Sequence, residues 1–334
     1  MPSFSEPRRL ALATLPTPLT RLTRLEAQLG GECQIWVKRD DLTGLEFSGN
    51  KIRKLEYIAA AATTEGFDTL VTEGTCQSNH CRATAAVCAR LGLHARLLFR
   101  PLPPPEIQGN QFLDGLFGAE WRSYSREAYS PNRDAIIEAT LAELRAAGRR
   151  PRFTPAGASE PLGCFGYIRA AGELASQLRE AGIGEADVVV GVSSGGTYAG
   201  LLLGKLLHET AGIEFWGVPV SDDVAYHTRE VAALCRAAIE QYRLPVEWNE
   251  ALMHYLEGYV GEGYAIPYAE AVDTLRMLAR VEGLLLDPVY TAKAFWALVD
   301  GAKQGRFGRK RPVVFIHTGG AFSNFAWTAS LLPR

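Results

Sequence analysis

The sequence predicts an α/β protein built on mostly parallel sheets with helices on both faces. Two apolar segments, residues 187–192 and 313–317, have the length and valine/isoleucine content of strands buried on both faces. Segments with helical spacing of apolar residues, such as 79–91 and 196–208, alternate with the predicted strands along the chain. This alternation is typical of parallel strands joined by helical crossovers.

The other elements follow in chain order from apolar periodicity and turn residues. Residues 1–30 are predicted to form an irregular arm with an amphipathic helix at 20–29, and a stiff proline-rich loop is predicted at 101–105. The predicted strands are 34–38, 69–72, 95–99, 120–123, 152–154, 187–192, 214–220 and 313–317. The predicted helices are 50–63, 79–91, 108–117, 132–147, 163–179, 196–208, 223–242, 269–281 and 292–304.

Composition and charge exclude several classes of protein. The 334 residues are 47% hydrophobic, enough for a large core in one large or two medium domains. A net charge of -2 leaves no basic surplus for nucleic acid. The N-terminus lacks the apolar run of a signal peptide, and no stretch reaches the length of a membrane span. The six scattered cysteines suit reduced thiols in a cytoplasmic protein.

The stretch 46–56 places a lysine at the start of a predicted helix. Ser48 and Gly49 allow a tight turn, and Lys51 then lies in the first helical turn, where the helix dipole disfavours a cation. A lysine with a lowered pKa is a nucleophile for aldehydes. The alternative is a solvated surface charge, which is what we expect for the neighbouring Arg53 and Lys54.

Polar and glycine-rich segments follow two predicted strands, where parallel sheets bind ligands. Ser78 and Asn79 open a helix whose free N–H groups can hold a carboxylate, with plain helix capping as the alternative. Residues 193–197, Ser-Ser-Gly-Gly-Thr, open another helix and suit a phosphate, with mere tight packing as the alternative. This segment matches neither the Walker A pattern nor Gly-x-Gly-x-x-Gly, which disfavours a nucleotide.

Taken together, these features describe one cofactor. A nucleophilic lysine, a helix start that holds a carboxylate and a separate phosphate turn are the parts that pyridoxal phosphate requires. Three further polar segments, 263–267, 287–291 and 317–320, add tyrosines, hydroxyls and glycines. A metal site from Cys76, His80, Cys81 and Cys88 is a weak alternative, because the spacing fits no zinc pattern.

With these motifs the chain resembles the ACC deaminase / D-cysteine desulfhydrase family of pyridoxal-phosphate enzymes, of the tryptophan-synthase-β-like fold type II. The resemblance implies a large cofactor-binding domain from residues 1–47 and 156–334 and a small α/β domain from 48–155, with the active site in the cleft between them. It also implies a cytoplasmic homodimer. The segments that carry the resemblance are Leu15–Leu19, Lys38–Asp41, Gly49–Glu56, Gln77–His80 and the segment at His317.

The resemblance implies a role for each site residue. Lys51 would bind the cofactor aldehyde covalently, Asn79 would hydrogen-bond the ring oxygen O3′, and Ser78 would hold the substrate carboxylate. The implied catalytic residues are Lys51, Ser78, Tyr264 and Tyr290. The implied cofactor-binding residues are Lys51, Asn79, Ser194, Gly195, Gly196, Thr197, Thr291 and Thr318. The implied substrate-binding residues are Ser78, Asn79, His80, Ser159, Tyr264 and Tyr290, and no residue is predicted to bind a metal.

Two hydroxyls favour one branch of the family. ACC deaminases have Glu where this chain has Thr291, and tend to have Leu where it has Thr318. A hydroxyl cannot keep the pyridine nitrogen protonated as a carboxylate does. The weaker electron sink suits β-elimination of a good leaving group, so the sequence resembles the D-cysteine desulfhydrase branch, a carbon–sulfur lyase releasing pyruvate, ammonia and hydrogen sulfide.

Alternatives remain at this point. ACC deamination, or elimination from D-serine, β-chloro-D-alanine or cysteate, would use the same cofactor, and a catalytically idle binding protein would turn over no amino acid. The departures from the family pattern bear on substrate choice. They are Ala158 and Ala265 in place of the usual glycines, Glu160, and a short loop at 101–109.

Overall fold

Strands and helices alternate along the computed structural model, which describes residues 5–101, 104, 106–208, 210, 212–308 and 311–332. The strands are β1 (Leu19–Arg21), β2 (Ile35–Lys38), β3 (Thr69–Gly74), β4 (His94–Phe99), β5 (Glu120–Ser123), β6 (Pro151–Phe153), β7 (Ala186–Val192), β8 (Ile213–Pro219), β9 (His254–Tyr255) and β10 (Val313–Ile316). The α-helices are α1 (Thr23–Gln28), α2 (Lys51–Thr64), α3 (Asn79–Leu91), α4 (Gly109–Leu116), α5 (Arg126–Tyr129), α6 (Arg133–Ala146), α7 (Pro161–Glu180), α8 (Gly196–Leu207), α9 (Val224–Tyr242), α10 (Ala269–Glu282), α11 (Thr291–Lys303) and α12 (Thr328–Leu331).

The described strands form two sheets. The larger sheet has the order β1-β2-β10-β7-β8-β9, and every neighbouring pair is parallel except β1 with β2. The smaller sheet has the order β5-β4-β3-β6 and is parallel throughout. Residues Val188, Val189 and Val190 of β7 are fully buried, as a strand covered on both faces requires. The predicted fold class is confirmed.

The N-terminal arm differs from the prediction. The amphipathic helix predicted at 20–29 begins only at Thr23, because Leu19–Arg21 pairs with β2 as an antiparallel edge strand. Backbone hydrogen bonds to a neighbouring strand outweigh a helical pattern only a few residues long.

Part of the proline-rich loop predicted at 101–105 lies outside the described residues.

Arg53 and Lys54 were expected on the surface, and that expectation is wrong. Arg53 is 1% exposed and Lys54 is fully buried, because α2 packs against α7 on the side of these two residues. A Cβ atom at Gly166 of α7 would come within 2.6 Å of the Arg53 backbone, so only glycine permits this approach. The close packing places the lysine helix beside the large sheet.

The turn before α2 packs backbone to backbone against the turn after β10. Gly49 has a φ of +116° and Gly319 a φ of +93°. A Cβ atom at either position would come within 2.6 Å of the opposing backbone. Asn50 N donates to the carbonyl of Thr318 at 3.1 Å. This contact holds the carboxyl end of β10 next to the start of α2.

Among the described residues, no helix combines the length and the apolar character needed to cross a bilayer.

Candidate active site

A cavity of about 490 Å³ lies where the carboxyl ends of strands from both sheets meet the starts of α2, α3 and α8. This is the edge at which parallel α/β sheets bind ligands. Of the predicted site residues, the cavity is lined by Lys51, Ser78, Asn79, His80, Ser194, Gly195, Thr197, Tyr264, Tyr290 and Thr318. Lining residues that the sequence did not single out include Asn50, Asp287, Arg100 and Asp222.

Lys51 presents its amine to this cavity. Burial lowers the pKa of Lys51 to about 8, a shift that Asp287 opposes and Arg82 reinforces. The amine donates to Asn50 Oδ1 at 2.9 Å. At neutral pH a minor fraction of this amine, larger than for an ordinary lysine, is therefore unprotonated and able to act as a nucleophile, and the cause is burial.

Asn50 connects the lysine to the glycine-rich turn. Its Oδ1 accepts from Lys51, and its Nδ2 donates to Thr197 Oγ1 at 2.9 Å. One side-chain amide thus separates the amine from the turn at the start of α8. A ligand the size of pyridoxal phosphate can contact both, because its aldehyde and phosphate lie on neighbouring ring positions. The sequence reasoning treated Asn50 only as a helix start, although its amide is what links the two features.

The turn before α8 has the geometry of an anion site. Gly195 has a φ of +82°, which glycine adopts freely. Gly196 does not line the cavity, since its N–H donates to Ser159 Oγ at 3.2 Å. Ser159 also lies behind the wall, donating to Ser194 Oγ at 2.8 Å. Backbone N–H groups and hydroxyls therefore converge at the positive end of a 12-residue helix.

The amine of Lys54 lies beside this turn. Its amine donates to the carbonyl of Gly157 at 3.0 Å and lies 2.9 Å from where a Cβ atom at Gly196 would be. Burial, reinforced by the charge of Lys51, holds the pKa of Lys54 well below its usual range. A phosphate at the turn would supply the counter-charge that this amine lacks. The signal available in the sequence was only the lysine three positions after Lys51.

The start of α3 lies at the cavity wall. Ser78 caps the helix, its Oγ accepting from Cys81 N at 3.2 Å, and it also lines the cavity. Thr72 donates its hydroxyl proton to the carbonyl of Thr154, so the bond of 2.8 Å between Thr72 and His80 Nε2 requires Nε2 to be the donor. Burial, with Lys51 and Lys54 nearby, holds the pKa of His80 well below its usual range. His80 is therefore neutral at the cavity wall.

Tyr264 and Tyr290 form a hydrogen-bonded pair at the wall, with ring centroids 5.8 Å apart. Burial raises the pKa of both phenols, that of Tyr290 well above its usual range. Both hydroxyls are therefore protonated at neutral pH. Because one of them donates to the other, the pair has one remaining proton to donate to an anion. Lys293, buried in α11, donates to the carbonyls of Val260 and Gly263 and so holds the loop that carries Tyr264.

Thr291 does not line the cavity, unlike Thr318. Thr291 Oγ1 instead bonds Asp287 Oδ2 at 2.7 Å and accepts from Asp287 N at 2.7 Å. Asp287 is the carboxylate that the sequence reasoning missed. Its Oδ1 accepts from the N–H groups of Val289 and Tyr290, and its Oδ2 from that of Thr291. The carboxylate is thus engaged in capping α11, and Thr318 supplies the hydroxyl at the wall.

A family model described as "Pyridoxal-phosphate dependent enzyme" matches residues 10–319. The chain belongs to this family. The match covers both sheets and every predicted site residue, so the protein is an enzyme and pyridoxal phosphate is its cofactor.

Known proteins of the same length resemble the whole chain. A D-cysteine desulfhydrase from Salmonella newport (strain SL254) is 42% identical over 324 residues, which are 96% of each chain. One from Salmonella typhi is 42% identical over the same extent. A crystal structure described as an ACC deaminase homologue superposes with a TM-score of 0.86 and 36% identity, covering 98% of this chain and 96% of that one. A fungal L-serine ammonia-lyase from Rhizomucor miehei, at a TM-score of 0.63 and 18% identity over 94% and 95% of the two chains, shares the fold. The predicted family, its D-cysteine desulfhydrase branch and the fold type are confirmed.

The residues of the cavity fit pyridoxal phosphate. Lys51 offers an amine with a lowered pKa to the aldehyde. Ser194, Gly195 and Thr197 line the cavity at the start of α8 and suit a phosphate, and the amine of Lys54 lies behind them, bonded to the carbonyl of Gly157. Asn79 and Thr318 also line the cavity and offer an amide and a hydroxyl to the ring. The cofactor supplies the chemistry that these side chains lack.

Proposed function

We propose that this enzyme catalyses β-elimination of D-cysteine, with water, to pyruvate, ammonia and hydrogen sulfide. Pyridoxal phosphate, when bound, supplies the electron sink that lets the Cα proton be removed. The observation that carries the proposal is the cavity lined by both Lys51 and the glycine-rich turn before α8, together with 42% identity to D-cysteine desulfhydrases over 96% of the chain.

Lys51 is the better candidate for removing the Cα proton. Its amine has a pKa of about 8 and is held by Asn50 at the cavity wall. Ser78 Oγ already accepts a hydrogen bond from the backbone of α3, and a hydroxyl is a weak base. Ser78 and the free N–H groups at the start of α3 are better suited to hold the substrate carboxylate.

The tyrosine pair is suited to assist departure of the thiolate. Tyr264 and Tyr290 lie together on one wall, and both are protonated at neutral pH. A hydroxyl aimed at the sulfur would donate as negative charge develops there. His80, neutral and with Nε2 bonded to Thr72, also lines the cavity and is proposed as a further polar contact for the substrate.

ACC deamination is a second candidate, since a solved structure described as an ACC deaminase homologue is 36% identical. That reaction breaks an unactivated carbon–carbon bond and demands a strong electron sink. Asp287 lines the cavity, but its two oxygens accept from the α11 backbone and from Thr291. The arrangement therefore favours elimination of a leaving group at Cβ over ring opening.

Incubation of the purified holoenzyme with single substrates tests the proposal. D-cysteine should give equal amounts of sulfide and pyruvate, and at a higher kcat/KM than ACC, D-serine, β-chloro-D-alanine or cysteate. Lys51→Ala should abolish sulfide release and the absorbance band of bound cofactor together. Lys303→Ala, at the exposed end of α11, is the matched control and should retain both. Undiminished sulfide release by Lys51→Ala would refute the assignment.

The domain division proposed from the sequence places 1–47 and 156–334 in one domain and 48–155 in the other, with the active site in the cleft. The two sheets support it, because β3 to β6 fall within 48–155 and the other strands outside. α2 packs against α7 and so lies at the boundary between the two domains.

A cytoplasmic location is also proposed. It is supported by the six cysteines, all of them unpaired and buried.

A homodimer is proposed as the working assembly, and one surface suits it. α4 packs against the turn 321–326, and Arg82 places its guanidinium 5.2 Å from the ring centroid of Phe322 while donating to the carbonyl of Glu46. Large apolar side chains around this point are exposed, namely Leu45 (79%), Leu116 (65%), Phe325 (64%), Ile107 (54%) and Phe112 (51%). Side chains of this size present on the order of 500 Å² in total, toward the upper end of what a monomer exposes in one apolar patch and a large part of the ~800 Å² per partner in a standard interface.

Sedimentation equilibrium tests this surface. Leu116→Glu with Phe325→Glu should convert the dimer to monomer, because two charges would be buried in an apolar contact. Leu332→Glu, also exposed and apolar but placed after α12, is the control and should leave the dimer intact. A wild-type monomer would contradict the dimer, and an unchanged dimer in the double variant would contradict this surface.

A further inference from the structure

Behind the cavity wall, a buried chain of polar side chains ends on Asn79. We propose that Arg82 and Asn110 are positioning residues that fix the side-chain amide of Asn79 with its NH₂ group toward the cofactor. The inference rests on the proposed function, in which Asn79 contacts the cofactor ring. It adds the reason why that amide faces the cavity with a donor and not with its carbonyl oxygen.

Arg82 fixes one end of the chain. It is fully buried in α3, and its Nε donates to Asn110 Oδ1 at 3.0 Å. A guanidinium only donates, so the group of Asn110 that faces it has to be the oxygen. The other nitrogens of Arg82 donate to the backbone carbonyls of Glu46 and of Ser48, the latter at 2.6 Å. The guanidinium is therefore held on three sides.

Asn110 transmits this orientation to Asn79. It is fully buried at the start of α4, and its Nδ2 donates to the carbonyl of Gln77 at 2.8 Å and to Asn79 Oδ1 at 2.9 Å. A backbone carbonyl only accepts, which assigns Nδ2 independently of Arg82. The carbonyl oxygen of Asn79 is consequently engaged outside the cavity, and its NH₂ group is left to face inward. The ring oxygen of pyridoxal phosphate is an acceptor and matches this donor.

The starts of α3 and α4 are locked together around this contact. Gln77 Nε2 donates to the carbonyl of Gln108 at 2.9 Å, and Gln77 Oε1 accepts from Asn110 N at 3.0 Å. Gly109, between Gln108 and Asn110, has a φ of +58°. Because Arg82 also holds the backbone just before Lys51, the same guanidinium helps to set both the lysine turn and the Asn79 amide.

A double-mutant cycle on cofactor affinity tests the inference. Asn110→Asp keeps the shape and the contact with Arg82, but places an oxygen against Asn79 Oδ1, so the Asn79 amide should turn and present its oxygen to the cavity. We expect pyridoxal phosphate to bind the apoprotein about tenfold more weakly or worse, as for loss of a hydrogen bond to a charged group. In an Asn79→Ala background the same substitution should change the affinity less than twofold.

Asn110→Ala is the second substitution to be compared with Asn110→Asp. It removes the constraint without imposing the wrong orientation, so its loss of affinity should be smaller than that of Asn110→Asp, and it too should vanish in the Asn79→Ala background. Equal losses in both backgrounds, or a larger loss for alanine than for aspartate, would show a merely structural role and overturn the inference. A wild-type chain that releases no sulfide from D-cysteine would instead contradict the proposed function.

Discussion

Lys51 and Lys54 are two buried amines on one face of α2 with different partners. Lys51 donates to Asn50 and faces the cavity, whereas Lys54 donates to the carbonyl of Gly157 behind the glycine-rich turn. Burial lowers the pKa of each. The proposed roles follow from these positions: the first amine would react with the cofactor aldehyde, and the second would neutralise its phosphate.

The rate at which the apoprotein captures pyridoxal phosphate should rise with pH and level off above about 8. The neutral amine is the reactive form, and with a pKa of about 8 roughly a tenth of Lys51 is neutral at pH 7. Stopped-flow absorbance at a series of pH values measures this midpoint. A midpoint near 10, the value of an ordinary lysine, would contradict the burial argument.

Lys54→Met should weaken binding of pyridoxal phosphate by roughly 10- to 100-fold, the loss expected for a hydrogen bond to a charged group. Methionine fills a similar volume without charge, and the amine of Lys54 lies between the carbonyl of Gly157 and Gly196 of the glycine-rich turn. Binding of pyridoxal, which lacks the phosphate, should change little. Equal weakening for both compounds would mean that Lys54 acts on the fold and not on the phosphate.

At the scale of elements, most helices and strands lie within two residues of their predicted bounds, since apolar periodicity determines them. α3 and β5 begin and end where predicted, at Asn79–Leu91 and Glu120–Ser123. β1 could not be predicted, because a three-residue strand is defined by its partner β2 and not by its own pattern.

Two departures from the family pattern carry backbone strain. Ala158 and Ala265 have φ angles of +52° and +58°, where an L-residue costs roughly 1–2 kcal/mol. The usual glycine of the family at each position is thus explained by the positive φ angle, which glycine adopts without strain. Ala158 is fully buried in the core, so its methyl group contributes about 0.8 kcal/mol that offsets part of the strain, whereas Ala265 is partly exposed.

Ala265→Gly should raise the free energy of unfolding by about 0.5 kcal/mol, because relief of strain exceeds the added entropy of the unfolded chain. Ala158→Gly should be neutral or slightly destabilising, since it also loses the buried methyl group. Ala147→Gly, exposed at the end of α6 with a φ of -81°, is the control and should lower stability. Urea denaturation measures all three, and a destabilised Ala265→Gly would contradict the account.

At the scale of the whole molecule, Arg53 joins distant segments through a buried ionic network. Its guanidinium donates to Asp40, after β2, and to Glu173 of α7. Lys38 pairs with Glu173, and Tyr167 donates to Asp40 at 2.5 Å. The two cations balance the two carboxylates, so the large sheet, the lysine helix and α7 are held in one relative position.

Arg53→Met should lower the free energy of unfolding by about 3–5 kcal/mol, because Asp40 and Glu173 would stay buried without their main partner. Burial alone would raise the pKa of both carboxylates, but Arg53, together with Lys38, more than compensates and leaves the pKa of both lowered. Their contribution is therefore present above their unfolded pKa, near 4, and is lost as the pH falls below it. Chemical denaturation from pH 7 to pH 3 measures both effects. Arg39→Met, which removes an ion pair to Asp41 nearer the surface, is the control and should cost far less.

The sequence by itself determined the alternation of strands and helices, the lysine at the start of α2 and the glycine-rich turn before α8, because each is encoded in a few consecutive residues. Only the tertiary structure decided that Lys54 and Arg53 are buried, that Asn50 bridges Lys51 to Thr197, and that Asp287 is engaged in capping α11. These features depend on contacts between segments far apart in the chain. Burial and charge pairing belong to the packed arrangement, and no local pattern specifies them.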